Sequence, residues 1–302
     1  MRSTERCAIK PRSAGDLHVR RHKHIMPPFT ASLAAIESDF VARSIPVNHP
    51  GFYDHPNFMQ VERDNPAYLN NYARYVDARP RSVEYEAHVR KVAPVIAEHF
   101  YQKLLANGRL GACVDISGLV SRALEREGIW NFAVKGSLTM TFPSKSNIPP
   151  QYFYSIDQGS FTAGHAWVAA PPLFIIDVAI RLQPFQYTQA NYLPPIVCSD
   201  SNTLALGNAI DIVAPEIRAH FAAHGVSEKN LLRTISPQTV PFLKTFPARL
   251  IKSGDVSLKY VPVAVGAPDV PFEEMKVMYF DGKTGYEVYR DEIAAKLRAN
   301  DA

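Results

Sequence analysis

The sequence predicts an α+β fold in which a helix bearing a cysteine packs on an antiparallel sheet bearing a histidine and an aspartate. From Cys113 onward Ile116, Leu119, Val120, Ala123 and Leu124 recur with helical period. Four segments rich in β-branched and aromatic residues then follow with short connections, the pattern of a helix covering a meander of strands. The composition agrees: 46 % hydrophobic and 21 % charged residues belong to a chain that buries a core.

The elements are taken in chain order. Residues 1–25 hold seven Lys/Arg against two acids, a net of +5, which leaves −1 for residues 26–302. This arm lacks apolar periodicity, so it is expected to be disordered, with anionic surfaces as its natural partners. Residues 26–302 are expected to form one α+β domain. Pro, Asn and Tyr dominate up to residue 80, predicting short helices joined by turns. A longer helix is expected from Ser82 to about Ala106, with Val89, Val92, Ile96, Phe100 and Leu104 on one face and Pro94 as a kink or restart. After the glycine-containing loop at 108–111, the helix led by Cys113 runs to Gly128, which is well placed to end it.

Strands are expected at 132–142, 151–156, 165–170 and 173–180. Beyond Pro184 the sequence suggests a helix around Ala209–His224 interrupted at Pro215, and a strand in VSLKYVPVAV. A hairpin is expected in VMYFDGKTGYEVY, followed by a closing helix, Arg290–Arg298.

Three widely spaced cysteines, Cys7, Cys113 and Cys198, cannot make a disulfide framework, which fits a reducing compartment. The uncharged stretch Ala166–Ile176 is too short to cross a bilayer, so no membrane span is expected. The first residues lack the apolar run of a secretory signal, which makes the cytoplasm the expected location.

A cysteine nucleophile needs thiolate character, a base, and donors for the developing oxyanion. A helix N-terminus supplies unpaired N–H groups and a dipole that favours the thiolate. Gly111 and Ala112 leave room beside the sulfur for a substrate carbonyl. His165, just after Gly164 on a strand-like segment, is the candidate base. Asp177, twelve residues later, can hold the outer imidazole nitrogen and fix the tautomer.

GACVDIS with its helix to Gly128, then GHAWV, then FIIDVAI, resembles the transglutaminase-like superfamily of papain-type cysteine enzymes. The resemblance covers roughly residues 85–185. It implies catalytic roles for Cys113, His165 and Asp177, and a papain-like core in which the cysteine begins the central helix. It also implies amide or thioester carbonyls in a protein, peptide or small amide as substrates, attacked without a cofactor. The superfamily's oxyanion side chain has no clear counterpart here; Asn107, Gln102 and Arg109 are the candidates.

Plainer readings stand beside these. A lone cysteine in an apolar helix is usually a small core residue, and the chain could be a binding protein that keeps a degenerate core. Cys, His and Asp could also ligate zinc, but no Cys-x-x-Cys pair accompanies them. Asp115 and Ser117 fit the first turn as structural residues. Trp167 is expected to pack against the helix or to roof the substrate site. His220 and His224 form a surface pair, because HFAAH lacks a zincin glutamate.

Overall fold

The computed structural model describes residues 32–299 other than 158, 159, 162, 163, 186, 187 and 202. The basic arm lies outside the described residues.

Three short helices open the described chain: α1 (Leu33–Ala42), α2 (Pro56–Asp64) and α3 (Leu69–Ala78). These helices and the 3₁₀ turns between them turn inward Phe40, Phe52, Phe58, Tyr68, Tyr72 and Tyr75, which pack mostly edge to face with centroids about 5–6 Å apart. Helix α4 (Val83–Asn107) follows. The Ser82 hydroxyl accepts from the Tyr85 N–H at 3.2 Å to cap it, and Gly108 ends it at φ +73°. Pro94 is accommodated inside α4 without ending it.

Helix α5 (Cys113–Arg126) buries Ile116, Leu119, Val120, Ala123 and Leu124. It stops as expected at Gly128, which takes φ +70°. The Gly128 N–H donates to the Glu125 carbonyl and the Ile129 N–H to the Leu124 carbonyl, so the last orphan carbonyls of the helix are satisfied.

The strands are β1 (Phe132–Thr141), β2 (Gln151–Phe153), β3 (Ile156–Asp157), β4 (Ser160–Phe161), β5 (His165–Ala170), β6 (Leu173–Asp177), β7 (Val197–Ser199) and β8 (Leu204–Ala205). Helices α6 (Ala209–Ile212), α7 (Pro215–Ala223), α8 (Glu228–Ile235) and α9 (Thr239–Thr245) precede β9 (Ala248–Ser253) and β10 (Val256–Gly266). The main sheet runs β7-β6-β5-β1-β10-β9-β8, antiparallel throughout, with β2 also paired to β1. The architecture is therefore α+β, as expected.

Alternation along β5 divides the interior. Ala166, Val168 and Ala170 join α4 and α5 in one core. Trp167 and Ala169 join the N-terminal aromatic helices in a second. A third, smaller core lies under α6 and α8.

Four expectations are corrected. The strand expected at 151–156 is broken into β2 and β3, and the one at 173–180 stops at Asp177. The hairpin exists only as β11 (Tyr279–Phe280) and β12 (Lys283–Thr284), turning through Asp281 and Gly282 at φ +50° and +83°. Its expected second strand is instead helix α10 (Gly285–Val288), because Thr284 and Glu287 form a reciprocal capping box that outweighs the β propensity of Tyr and Val. The closing helix therefore begins earlier than Arg290 and passes through a π turn at Tyr289–Ile293 into α11 (Ala294–Ala299).

Candidate active site

Cys113 is the first residue of α5 and 6 % exposed. No side chain caps this helix, so its first-turn amides are left to backbone, solvent or ligand. The preceding Gly111 takes φ +69°, a left-handed conformation that favours glycine, and donates its N–H to the Leu182 carbonyl at 3.0 Å. Ala112 is buried at the N-cap position.

His165 is fully buried as the first residue of β5, opposite Gly136 of β1. Its backbone is set by two close approaches. A Cβ on Gly164 would lie 2.4 Å from the Tyr154 carbonyl oxygen, and one on Gly136 would lie 2.3 Å from the Val261 oxygen and 2.7 Å from the Trp167 ring. Only glycine leaves that room. The imidazole lies near-parallel to the rings of Phe153 and Trp167, at centroid distances of 5.9 and 6.5 Å.

Asp177 ends β6 and is 1 % exposed. Its Oδ2 receives His165 Nε2 at 2.7 Å and the Tyr260 hydroxyl at 2.9 Å, and its Oδ1 accepts from the Ala179 N–H at 2.9 Å. The turn after Asp177 also reaches the cysteine loop. Gln183 Nε2 donates to the Ala179 carbonyl at 2.8 Å, while Leu182 holds Gly111. One short segment thus ties the carboxylate to the approach of Cys113.

The other ring nitrogen of His165, Nδ1, has no well-aligned hydrogen-bond partner among the described residues. Besides Asp177, the side chain that acts on the imidazole is Cys113. Burial disfavours the imidazolium, yet the charge and hydrogen bond of Asp177, supplemented by the Cys113 sulfur, outweigh it and lift the His165 pKa to about 10.

Among the described residues no group of three or more His, Cys, Asp or Glu side chains is arranged to hold a metal ion. His220 and His224 sit exposed at the end of α7, ring centroids 4.5 Å apart.

The candidate oxyanion side chains are engaged elsewhere. Asn107 donates to the Tyr279 carbonyl, Gln102 to Glu98, and Arg109 to the Val277 carbonyl and Asp115. Asp115 is therefore an ion-pair partner in the first turn, and Ser117 is buried. Trp167 is 2 % exposed and packs edge-on against Tyr260 at 5.1 Å, in the core away from α5. It backs the histidine instead of lining an open surface.

Tyr260 is the site residue that sequence reasoning missed. It lies 83 residues from Asp177 and meets it through the pairing of β10 with β1. The remaining cysteine of the body, Cys198, lies on β7, which pairs it with Ile176 of β6. Burial, reinforced by Asp177 and Glu98, pushes its thiol up to about 12.

No family model, curated protein or solved structure matches this chain. No helix among the described residues is long and apolar enough to cross a membrane.

Proposed function

We propose that this chain is a cysteine-dependent acyl-transfer enzyme of the transglutaminase-like type, with Cys113 as nucleophile, His165 as base and then acid, and Asp177 as the group that orients His165. The observation that carries the reading is the buried His165–Asp177 pair, which commits Nε2 to the carboxylate and leaves Nδ1 without a hydrogen-bond partner among the described residues.

The raised pKa of His165 favours an imidazolium, which can hand a proton to the leaving group. The thiolate attacks an amide or thioester carbonyl. The S–C bond forms, and the carbonyl electrons move to oxygen, where the uncapped amides of α5 serve as donors. Collapse expels the amine or thiol, which takes its proton from His165, leaving a thioester on Cys113. Water or an amine, deprotonated by His165, then releases the acyl group.

The test is intact-mass detection of an acyl adduct on Cys113 across a panel of peptides, simple amides and thioesters. A mass increase equal to the acyl group, absent in Cys113→Ala, supports the reading. Turnover that survives Cys113→Ala overturns it.

A further inference from the structure

The segment HFAAH, residues 220–224, takes no part in the site at Cys113, and its two histidines form a cluster of their own. His220 lies in the last turn of α7, and His224 is the C-cap of the same helix. Both side chains are exposed, with ring centroids 4.5 Å apart and planes tilted by 42°. When each ligating nitrogen is about 2 Å from an ion, two imidazoles at a right angle around it have centroids roughly 4.5 Å apart. The pair therefore has the spacing of neighbouring ligands on one ion.

The tautomer of His224 suits the same role. Its Nδ1 lies 2.8 Å from the His220 carbonyl oxygen. A carbonyl only accepts, so Nδ1 carries the proton and the lone pair of the neutral ring is on Nε2. Metal-binding histidines are commonly held in this way, with the opposite ring nitrogen donating to a backbone carbonyl or a carboxylate. The last carbonyls of α7 add partial negative charge at this end, where a cation is favoured.

We propose that His220 and His224 are a two-donor site for a late first-row divalent ion, Cu²⁺ or Ni²⁺ ahead of Zn²⁺, which clips the end of α7. Imidazole suits these ions, whereas Mg²⁺ and Ca²⁺ call for oxygen ligands. Neighbouring ligands at a right angle match the tetragonal geometry of Cu²⁺ and Ni²⁺ better than the tetrahedron of Zn²⁺. No third His, Cys, Asp or Glu among the described residues joins the pair, so the remaining positions fall to water. The site is independent of the reading of Cys113.

The test is modification of the full chain by diethyl pyrocarbonate with and without NiCl₂, read at each histidine by tandem mass spectrometry. Ni²⁺ is the probe because Cu²⁺ also oxidises thiols. Reading each residue separately keeps His18, His22 and His24 from being counted. Ni²⁺ should slow modification at His220 and His224 with one common half-protection concentration. The exposed His49 and His88 should be modified as before. In His220→Gln the half-protection concentration at His224 should rise at least about tenfold, because the chelate loses its intramolecular second donor. His224→Gln should do the same at His220. Both residues are exposed, so the variants keep the fold, which circular dichroism checks.

Protection of one ring only, or protection no greater than at His49 and His88, overturns the proposal. So does equal protection by MgCl₂, or a half-protection concentration that either substitution leaves unchanged.

Discussion

The hydroxyl of Tyr260 and the Nε2 of His165 meet on the same oxygen of Asp177, at 2.9 and 2.7 Å. With the Ala179 N–H on Oδ1, every strong hydrogen bond to this buried carboxylate comes from a fixed group on a strand or turn. A carboxylate held in this way offers His165 one orientation.

Tyr260→Phe is the direct probe of that arrangement. It keeps the ring and its packing on Trp167 but removes one donor from a buried charge, so it should cost about 1–3 kcal/mol of stability. The alkylation rate of Cys113 should drop, and the drop should be smaller than in His165→Ala. Chemical denaturation and iodoacetamide kinetics on the same preparation check both. An unchanged alkylation rate would show that the hydroxyl supports only the fold.

The raised pKa of His165 gives a pH prediction whose sign can be worked out. The folded-state value, about 10, lies above the unfolded value. Its contribution to stability is therefore full below about 6.5 and is lost as pH rises through about 10. The difference in unfolding free energy between the native chain and His165→Gln should narrow over that window. Alkylation of Cys113 measured over the same pH range should follow the protonation of His165, as it must if the two act as one pair. A difference that stays constant from pH 6 to 10 would rule out a native-state imidazolium.

The parts of this site that depend on local pattern were legible in the sequence, and the parts that depend on long-range pairing were not. The helix from Cys113 to Arg126 shows its period and its glycine stop. HAWVAA, with β-branched and aromatic residues next to Gly164, became β5 with the expected ends. Asp177 fell within reach of His165 because only a short turn joins their strands. Tyr260 gave no signal, since its role exists only once β10 pairs with β1. Nothing near Cys198 in the sequence signalled its strand, which exists only through pairing with β6. The segment GYEVY was readable in a different way. The Thr-x-x-Glu signature of a helix start was present at Thr284 and Glu287, and the β propensity of its Tyr and Val obscured it.

Gly164 allows a test of backbone placement separate from the chemistry. A methyl group there would press on the Tyr154 carbonyl at 2.4 Å, so β5 or the end of β2 must shift. Gly164→Ala should cost about 1–3 kcal/mol, as overpacking does in a filled interior. It should also slow Cys113 alkylation more than a change of similar stability cost remote from the sulfur, because His165 is the next residue. Arg122→Ala supplies that comparison. Its guanidinium is 5 % exposed and joins Asp54 and Glu125 to the carbonyls of Pro268 and Val270, away from the sulfur. It should lower stability by about 3 kcal/mol, since it leaves Glu125 buried without its partner. In the folded fraction the reactivity of Cys113 should stay close to native.

The decisive series is graded across four positions. Cys113→Ala removes the attacking atom and should abolish acyl transfer while keeping the fold, since alanine suits the start of a helix. His165→Ala should be equally severe, because the thiolate loses its counter-ion and the leaving group its proton donor. Asp177→Asn keeps the shape of the side chain but offers an amide where His165 Nε2 and Tyr260 need an acceptor. It should lower the rate by orders of magnitude without reaching zero. Cys198→Ala should leave transfer near native, because that thiol is held protonated, with a pKa of about 12, and belongs to the strand beside Asp177. Mass mapping of iodoacetamide adducts at pH 6 gives a parallel order, with labelling at Cys113 and none at Cys198. A series in which Cys198→Ala is as damaging as Cys113→Ala would move the chemistry to the other thiol and overturn the assignment of roles.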